Sequence, residues 1–149
     1  MGKSNNLLCG ILILLCCAVA AFAQGRGVAV TIDDVPFMQG SLAEMKLVNE
    51  KLLSKLKAEN VPAVGFVNEG KLRRNGEIEE RTAILQMWLD AGVELGNHTY
   101  SHISLDQNPI ESYQRDVING EKVTSRLLAQ KRIKLRYFRH PNLRTGKTI

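Results

Sequence analysis

The feature that most constrains this chain is a change of hydrophobic period that repeats along its length. Val28-Ala29-Val30-Thr31-Ile32 is a short apolar and β-branched run, the pattern of a strand buried on both faces. Between Ser41 and Asn60 the apolar residues Leu42, Met45, Val48, Leu52 and Leu56 recur three or four apart, and Ser41 with Glu44 forms a capping-box signature. That spacing predicts an amphipathic helix. Strand character returns over 61–67, a second helix is predicted from Gly76 to Ala91 with Gly92 as its stop, and a third strand over 93–97. Pro109 opens a third helix carrying Ile110, Tyr113, Val117 and Leu127, and Leu135-Arg136-Tyr137-Phe138 reads as a fourth strand. Strands alternating with helices imply right-handed crossovers and a parallel sheet covered on both faces, so the fold class is α/β.

Ahead of this pattern, Lys3 precedes an uncharged stretch from Leu7 to Ala23 that closes on Ala21-Phe22-Ala23. The expectation is a secretory signal peptide over 1–23, cleaved before Gln24. The run is shorter than the ~20 apolar residues of a bilayer span, so no stable membrane anchor is expected after cleavage. A large Leu15 ahead of Cys16 and Cys17 also disfavours lipid attachment there. The expected location is secreted, periplasmic or in the cell envelope. Cys9, Cys16 and Cys17 all fall inside this segment, which leaves residues 24–149 without a disulfide or a thiolate ligand. Any metal must then be held by His, Asp or Glu.

With 44% hydrophobic and 23% charged residues, the 149-residue chain suits one globular domain and excludes collagen-like or disordered classes. The net charge of +5 comes from Lys and Arg spread along the sequence. Runs such as Lys71-Leu72-Arg73-Arg74 and Lys131-Arg132-Ile133-Lys134 read as solvated faces, and no nucleic-acid partner is expected. Mild basicity suits an anionic cell-wall polymer.

In parallel α/β sheets the chemistry gathers beyond the carboxyl ends of the strands. The first strand ends in Thr31-Ile32-Asp33-Asp34, two adjacent carboxylates that point different ways, although such a pair also serves helix caps and turns. The third ends in Gly96-Asn97-His98-Thr99-Tyr100-Ser101-His102. His98 and His102 stand four apart, which on a helical turn aims both imidazoles the same way, the spacing by which helices bind zinc. Together with the carboxylates they point to a metal site. The fourth strand ends in Phe138-Arg139-His140-Pro141-Asn142, which alone would pass for a surface turn.

These three clusters, in this order, resemble the first three motifs of the polysaccharide deacetylases, the NodB-like domain of carbohydrate esterase family 4. The resemblance runs from about Val28 to the last residue, so 24–149 reads as the N-terminal part of that domain. The family folds as a distorted (β/α) barrel of about seven units, and at ~30 residues per unit the chain supplies about four, a partial barrel. The resemblance implies removal of N-acetyl groups from an amino-sugar polysaccharide, peptidoglycan- or chitin-like, with one divalent metal ion, zinc first among them. Asp34, His98 and His102 match its metal ligands and Asp33 its catalytic base. Arg139 matches the arginine that pairs with and orients that base. Pro141 and Asn142 match the substrate-binding turn, where the residue after proline gives a backbone N–H to the oxyanion. Asn142 stands where the family usually has tyrosine, which keeps the N–H and loses an aromatic wall.

The fourth and fifth motifs, which complete the pocket and supply a histidine acid to the leaving amine, have no counterpart here, and His140 is not placed for that role. The chain is therefore expected to be a fragment of a longer protein with little turnover alone. Other classes fare worse. A signalling receiver needs an aspartate where Asn97-His98 stands, and the terminal Thr145-Gly146-Lys147-Thr148 fails as a phosphate loop because Pro141 takes the place of its first glycine. A non-catalytic cell-wall binding relative of the deacetylases remains as the alternative.

Overall fold

The computed structural model describes residues 27–37 and 40–146, so the expected signal peptide at 1–23 lies outside the described residues. Three strands, β1 (Val30–Val35), β2 (Ala63–Val67) and β3 (Glu94–Asn97), form a wholly parallel sheet in the order β1-β2-β3. Helix α1 (Leu42–Ala58) links the first pair, and α2 (Ile78–Asp90) the second, after a 3-10 segment at Glu69–Gly76. Helices α3 (Ile110–Asn119) and α4 (Lys122–Gln130) follow β3. The α/β class is as expected, and the strand and helix order is that of a partial (β/α) barrel.

β1 runs three residues past the expected Ile32 and takes both aspartates into the strand. Its register with β2 pairs Ile32 with Gly65 and then Val35 with Val67, so an irregularity falls on Asp33 and Asp34. Such a bulge re-aims side chains at the end of a strand. Asp34 has φ +66°, a left-handed conformation that Asp accepts more readily than most residues.

Helix α1 starts as expected. Ser41 Oγ accepts from the Glu44 N–H at 3.3 Å and the Glu44 carboxylate accepts from the Ser41 N–H at 2.7 Å. Most of its predicted face holds: Met45 is buried and Leu42, Leu52 and Leu56 pack against the core, but Asn49 and Leu53 are inside too, while Val48 is 51% exposed. The reason is Trp88 on α2, fully buried, whose Nε1–H needs an acceptor and donates to Asn49 Oδ1 at 2.6 Å. Asn49 Nδ2 in turn donates to the Met45 carbonyl at 2.8 Å. A polar residue thus holds a core position that apolar spacing assigns to Val48. The indole lies so close to the sheet that a Cβ on Gly65 would fall 2.8 Å from its ring. Around it Val35, Val67, Ile84, Leu85, Leu95 and Leu128 close the core.

Two further expectations are corrected. The predicted third helix is two helices, broken at Gly120, where a Cβ would come within 2.5 Å of the Thr99 carbonyl carbon and 2.6 Å of the Tyr100 nitrogen. The loop after β3 presses on this point, and a continuous helix with a side chain there would not let it. The predicted fourth strand over 135–138 is a single parallel bridge between Phe138 and Asn97. β3 is only four residues long, and the segment meets it in ladder register at its last residue alone.

The buried indole bond is a test of this packing. Asn49→Ala leaves the Trp88 donor unpaired and should cost about 1–3 kcal/mol in urea unfolding. Val48→Ala should change stability by less than about 0.5 kcal/mol. The opposite ranking would put Val48, not Asn49, in the core.

Candidate metal and catalytic site

The carboxyl ends of β1, β2 and β3 open onto one edge. His98 leaves β3 with its backbone still in the sheet ladder, its N–H donating to the Val67 carbonyl at 2.9 Å. Its side chain is 1% exposed. The two histidines do not share a helical turn, contrary to the expectation from their spacing. Asn97 Oδ1 accepts from the Thr99 N–H at 2.7 Å, and Thr99 Oγ1 accepts from the His102 N–H at 3.0 Å. These side-chain turns replace helical bonds, with Thr99 and His102 at φ +65° and +61°. The loop still brings the rings together, their centroids 5.0 Å apart and nearly perpendicular.

The loop is held from outside by α3. The Asp116 carbonyl accepts from the Tyr100 N–H at 3.0 Å, its carboxylate from the Ser101 N–H at 2.9 Å, and Asn97 Nδ2 donates to the Val117 carbonyl at 2.9 Å. From the β2 side, Asn68 Nδ2 donates to the His98 carbonyl at 2.5 Å.

One donor atom each from Asp34, His98 and His102 lies within 4.8 Å of the others. His98 Nδ1 is 2.9 Å from the Arg139 carbonyl, an acceptor only, so Nδ1 carries the proton and Nε2 keeps its lone pair. His102 Nε2 stands 3.7 Å from Asp34 Oδ1, and His98 Nε2 stands 4.0 Å from Asp33 Oδ2. Two imidazoles and a carboxylate suit a borderline divalent cation, and these three residues are the ones that could hold it. Asp33, beside His98, is also held by Arg139, whose Nη1 donates to both its oxygens at 3.0 and 3.3 Å. The Arg139 guanidinium lies over the Phe66 ring, 4.7 Å from its centroid.

Burial pushes the His98 pKa below the usual imidazole value, and the proximity of His102 adds to this. The Arg139 carbonyl and the Asp33 and Asp34 charges act the other way and are outweighed. For Asp34 burial is the largest single influence and raises its pKa. The hydrogen bond and charge of Lys71, with the nearby histidines, reverse it and hold the carboxyl below its usual range.

Of the residues singled out in the sequence, Asp33, Asp34, His98, His102 and Arg139 come together. Pro141 and Asn142 form a short 3-10 turn, and their contacts run elsewhere: Asn142 Nδ2 donates to Ser104 Oγ at 2.9 Å and the Pro141 carbonyl accepts from the Arg144 N–H at 3.1 Å. His140 is stacked on Tyr113, with Nδ1 2.8 Å from the Tyr113 hydroxyl. Sequence reasoning missed Lys71, whose Nζ bonds Asp34 Oδ1 at 2.6 Å. It was read as part of a solvated basic run, yet it follows the end of β2, where the strand-end rule directs attention.

A parallel α/β sheet with two histidines and a carboxylate gathered beside an arginine-held aspartate defines a barrel-type protein with a candidate metal site at its strand ends. The family profile described as polysaccharide deacetylase matches residues 23–149, and the chain belongs to that family. A peptidoglycan-N-acetylglucosamine deacetylase of Bacillus cereus is 32% identical over 100 residues, 67% of this chain and 31% of that protein. The chain therefore spans about a third of its curated relative. The crystal structure of a peptidoglycan N-acetylglucosamine deacetylase with a bound benzamide ligand matches at 27% identity and TM-score 0.57, over 78% of this chain and 46% of the other. A CE4 family pseudoenzyme from Bacillus anthracis matches in fold at 22% identity and TM-score 0.59, over 81% of this chain and 37% of the other.

The depressed basicity of His98 gives a pH dependence. An unfolded histidine titrates near ~6.5, and the folded one lower, so between the two values the unfolded chain binds more protons. The stabilising effect of keeping the ring neutral is complete above ~6.5 and is lost as pH falls through the folded value. NMR titration of the chelator-treated protein should find His98 below ~6.5. A value at or above that would contradict the burial described here.

Proposed function

We propose that the cluster of Asp33, Asp34, His98, His102 and Arg139 is the centre of a hydrolase that removes N-acetyl groups from an amino-sugar polysaccharide, peptidoglycan- or chitin-like. The observation that carries the reading is the convergence of three donor atoms within 4.8 Å beside a carboxylate gripped by Arg139. Family membership and the Bacillus cereus relative support the substrate class. Asp34, His98 and His102 would hold one divalent cation, zinc by the chemistry of its donors, which when bound supplies Lewis-acid polarisation of an amide carbonyl and acidifies water. Asp33 would accept the proton of an attacking water, a role supported by its Oδ2 lying 4.0 Å from His98 Nε2. Arg139 fixes the direction of that carboxylate through its two contacts and is itself anchored on Phe66. The Asn142 backbone N–H, after Pro141, would face the oxyanion once substrate is in place.

A second reading, a cell-wall carbohydrate-binding relative without turnover, is favoured by one observation. His140 is committed to the Tyr113 hydroxyl at 2.8 Å and so is not itself free to serve as a leaving-group acid. Acetate release from N-acetylglucosamine oligomers separates the two. Asp33→Asn should keep bound metal while turnover falls by a factor on the order of 10²–10⁴. Asp34→Asn, like His98→Ala or His102→Ala, should lose both metal, by elemental analysis after dialysis, and turnover. Saturable oligomer binding without acetate release from the unaltered protein would favour the binding reading.

We also propose export, on the Lys3 start, the uncharged run and Ala21-Phe22-Ala23. Mass spectrometry of protein recovered outside the cytoplasm should find an N-terminus at or near Gln24, and an intact Met1 there would refute the cleavage.

A further inference from the structure

Lys71 has no part in the chemistry above, yet its ammonium lies 2.6 Å from Asp34 Oδ1, the oxygen that His102 Nε2 approaches to 3.7 Å. It is not a free surface charge, because its side chain is only 18% exposed. The segment that carries it is tied down residue by residue. Asn68 Nδ2 donates to the His98 carbonyl at 2.5 Å. The buried Glu69 carboxylate accepts from the N–H groups of Val123 and Thr124, in the first turn of α4, at 3.0 and 2.6 Å. The Gly70 N–H donates to the Tyr100 carbonyl at 2.9 Å, and a Cβ on Gly70 would fall 2.6 Å from that oxygen. Three consecutive residues thus lock onto the histidine loop and α4. The fourth delivers a cation to the carboxylate between them.

We propose that Lys71 is the internal counter-cation of the Asp34, His98 and His102 site, a positioning residue that competes with a divalent metal for the Asp34 carboxylate and so sets the affinity of the site. The inference rests on the metal reading under Proposed function. An ammonium at 2.6 Å takes the lone pairs and charge of the oxygen that a dication would use. A dication drawn to the same carboxylate is repelled by the ammonium, so metal binding is weakened unless the ammonium moves away. Space for displacement lies next to the site in a cavity of about 270 Å³, lined by Asn68, Lys71, Arg74, Tyr100, Ser101 and His102. Arg74, a second cation on that wall, opposes the move. Metal binding therefore works against Lys71 twice, at the carboxylate and in the cavity.

Zinc and cobalt(II) are titrated in competition with a chromophoric chelator into the unaltered protein and into Lys71→Met, Lys71→Gln, Lys71→Arg and His98→Ala. The unaltered protein should bind one equivalent and His98→Ala none. Lys71→Met, which keeps the aliphatic stem, should bind about tenfold tighter or more, the effect of removing one charge some ~4–5 Å from a dication even under water-like screening. Lys71→Gln carries the same expectation should Lys71→Met fail to fold, and Lys71→Arg should stay near the unaltered protein. A neutral variant that folds and binds no tighter overturns the proposal, as does an arginine variant that gains as much as the methionine one. Absence of metal binding in the unaltered protein would instead show that the metal reading itself had failed, and the role of Lys71 with it.

Discussion

Arg139 makes bonds in two directions, and the carboxyl edge of the sheet is organised around them. Its carbonyl accepts from His98 Nδ1 at 2.9 Å, which fixes the tautomer of a ring that has almost no contact with water. Its guanidinium grips Asp33 at 3.0 Å. One residue therefore joins the end of β3 to the end of β1, while the backbone of Asn97 holds it in place by accepting from its N–H at 3.0 Å. That junction turns Asp33 toward the arginine, while Asp34 is held separately by Lys71 at 2.6 Å with His102 Nε2 3.7 Å away.

The rest of the structure backs up this junction. The bulge in β1 separates the two aspartates, and the left-handed Asp34 completes the separation. α3 ends at Gly120 so that the histidine loop can lie against it, and Asp116 holds that loop by both its backbone and its side chain. The Asn68, Glu69 and Gly70 segment does the same from the other side. Rigid support of this kind is what a metal-and-base arrangement needs, since a shift of about 1 Å at the reacting groups carries a large rate penalty.

Much of this was legible in the sequence because the chemistry-bearing residue types stand at strand ends, where a parallel sheet places them together. Asp33, Asp34, His98 and His102 are legible in that way, Arg139 only through the family resemblance, and the Ser41 capping box marks the start of α1. What sequence could not show has particular causes. The histidine spacing suits a helix, but Asn97 Oδ1 and Thr99 Oγ1 capture the N–H groups a helix would have used. The buried place of Asn49 is not legible because the acceptor needed by Trp88, 39 positions away, is a tertiary demand. The pattern of apolar residues runs through Gly120 unbroken, so only the close approach of Thr99 reveals the break. Lys71 was hidden in a basic run whose neighbours Arg73 and Arg74 are exposed.

The proposed centre requires two imidazoles and one carboxylate to meet at a single cation, and X-ray absorption at the zinc edge reads that directly. Zinc-loaded protein should show imidazole scattering from two rings, with nitrogen and oxygen neighbours at about 2.0–2.2 Å. A shell of oxygen alone, or with a single imidazole, would contradict the geometry on which both the proposed chemistry and the role of Lys71 depend.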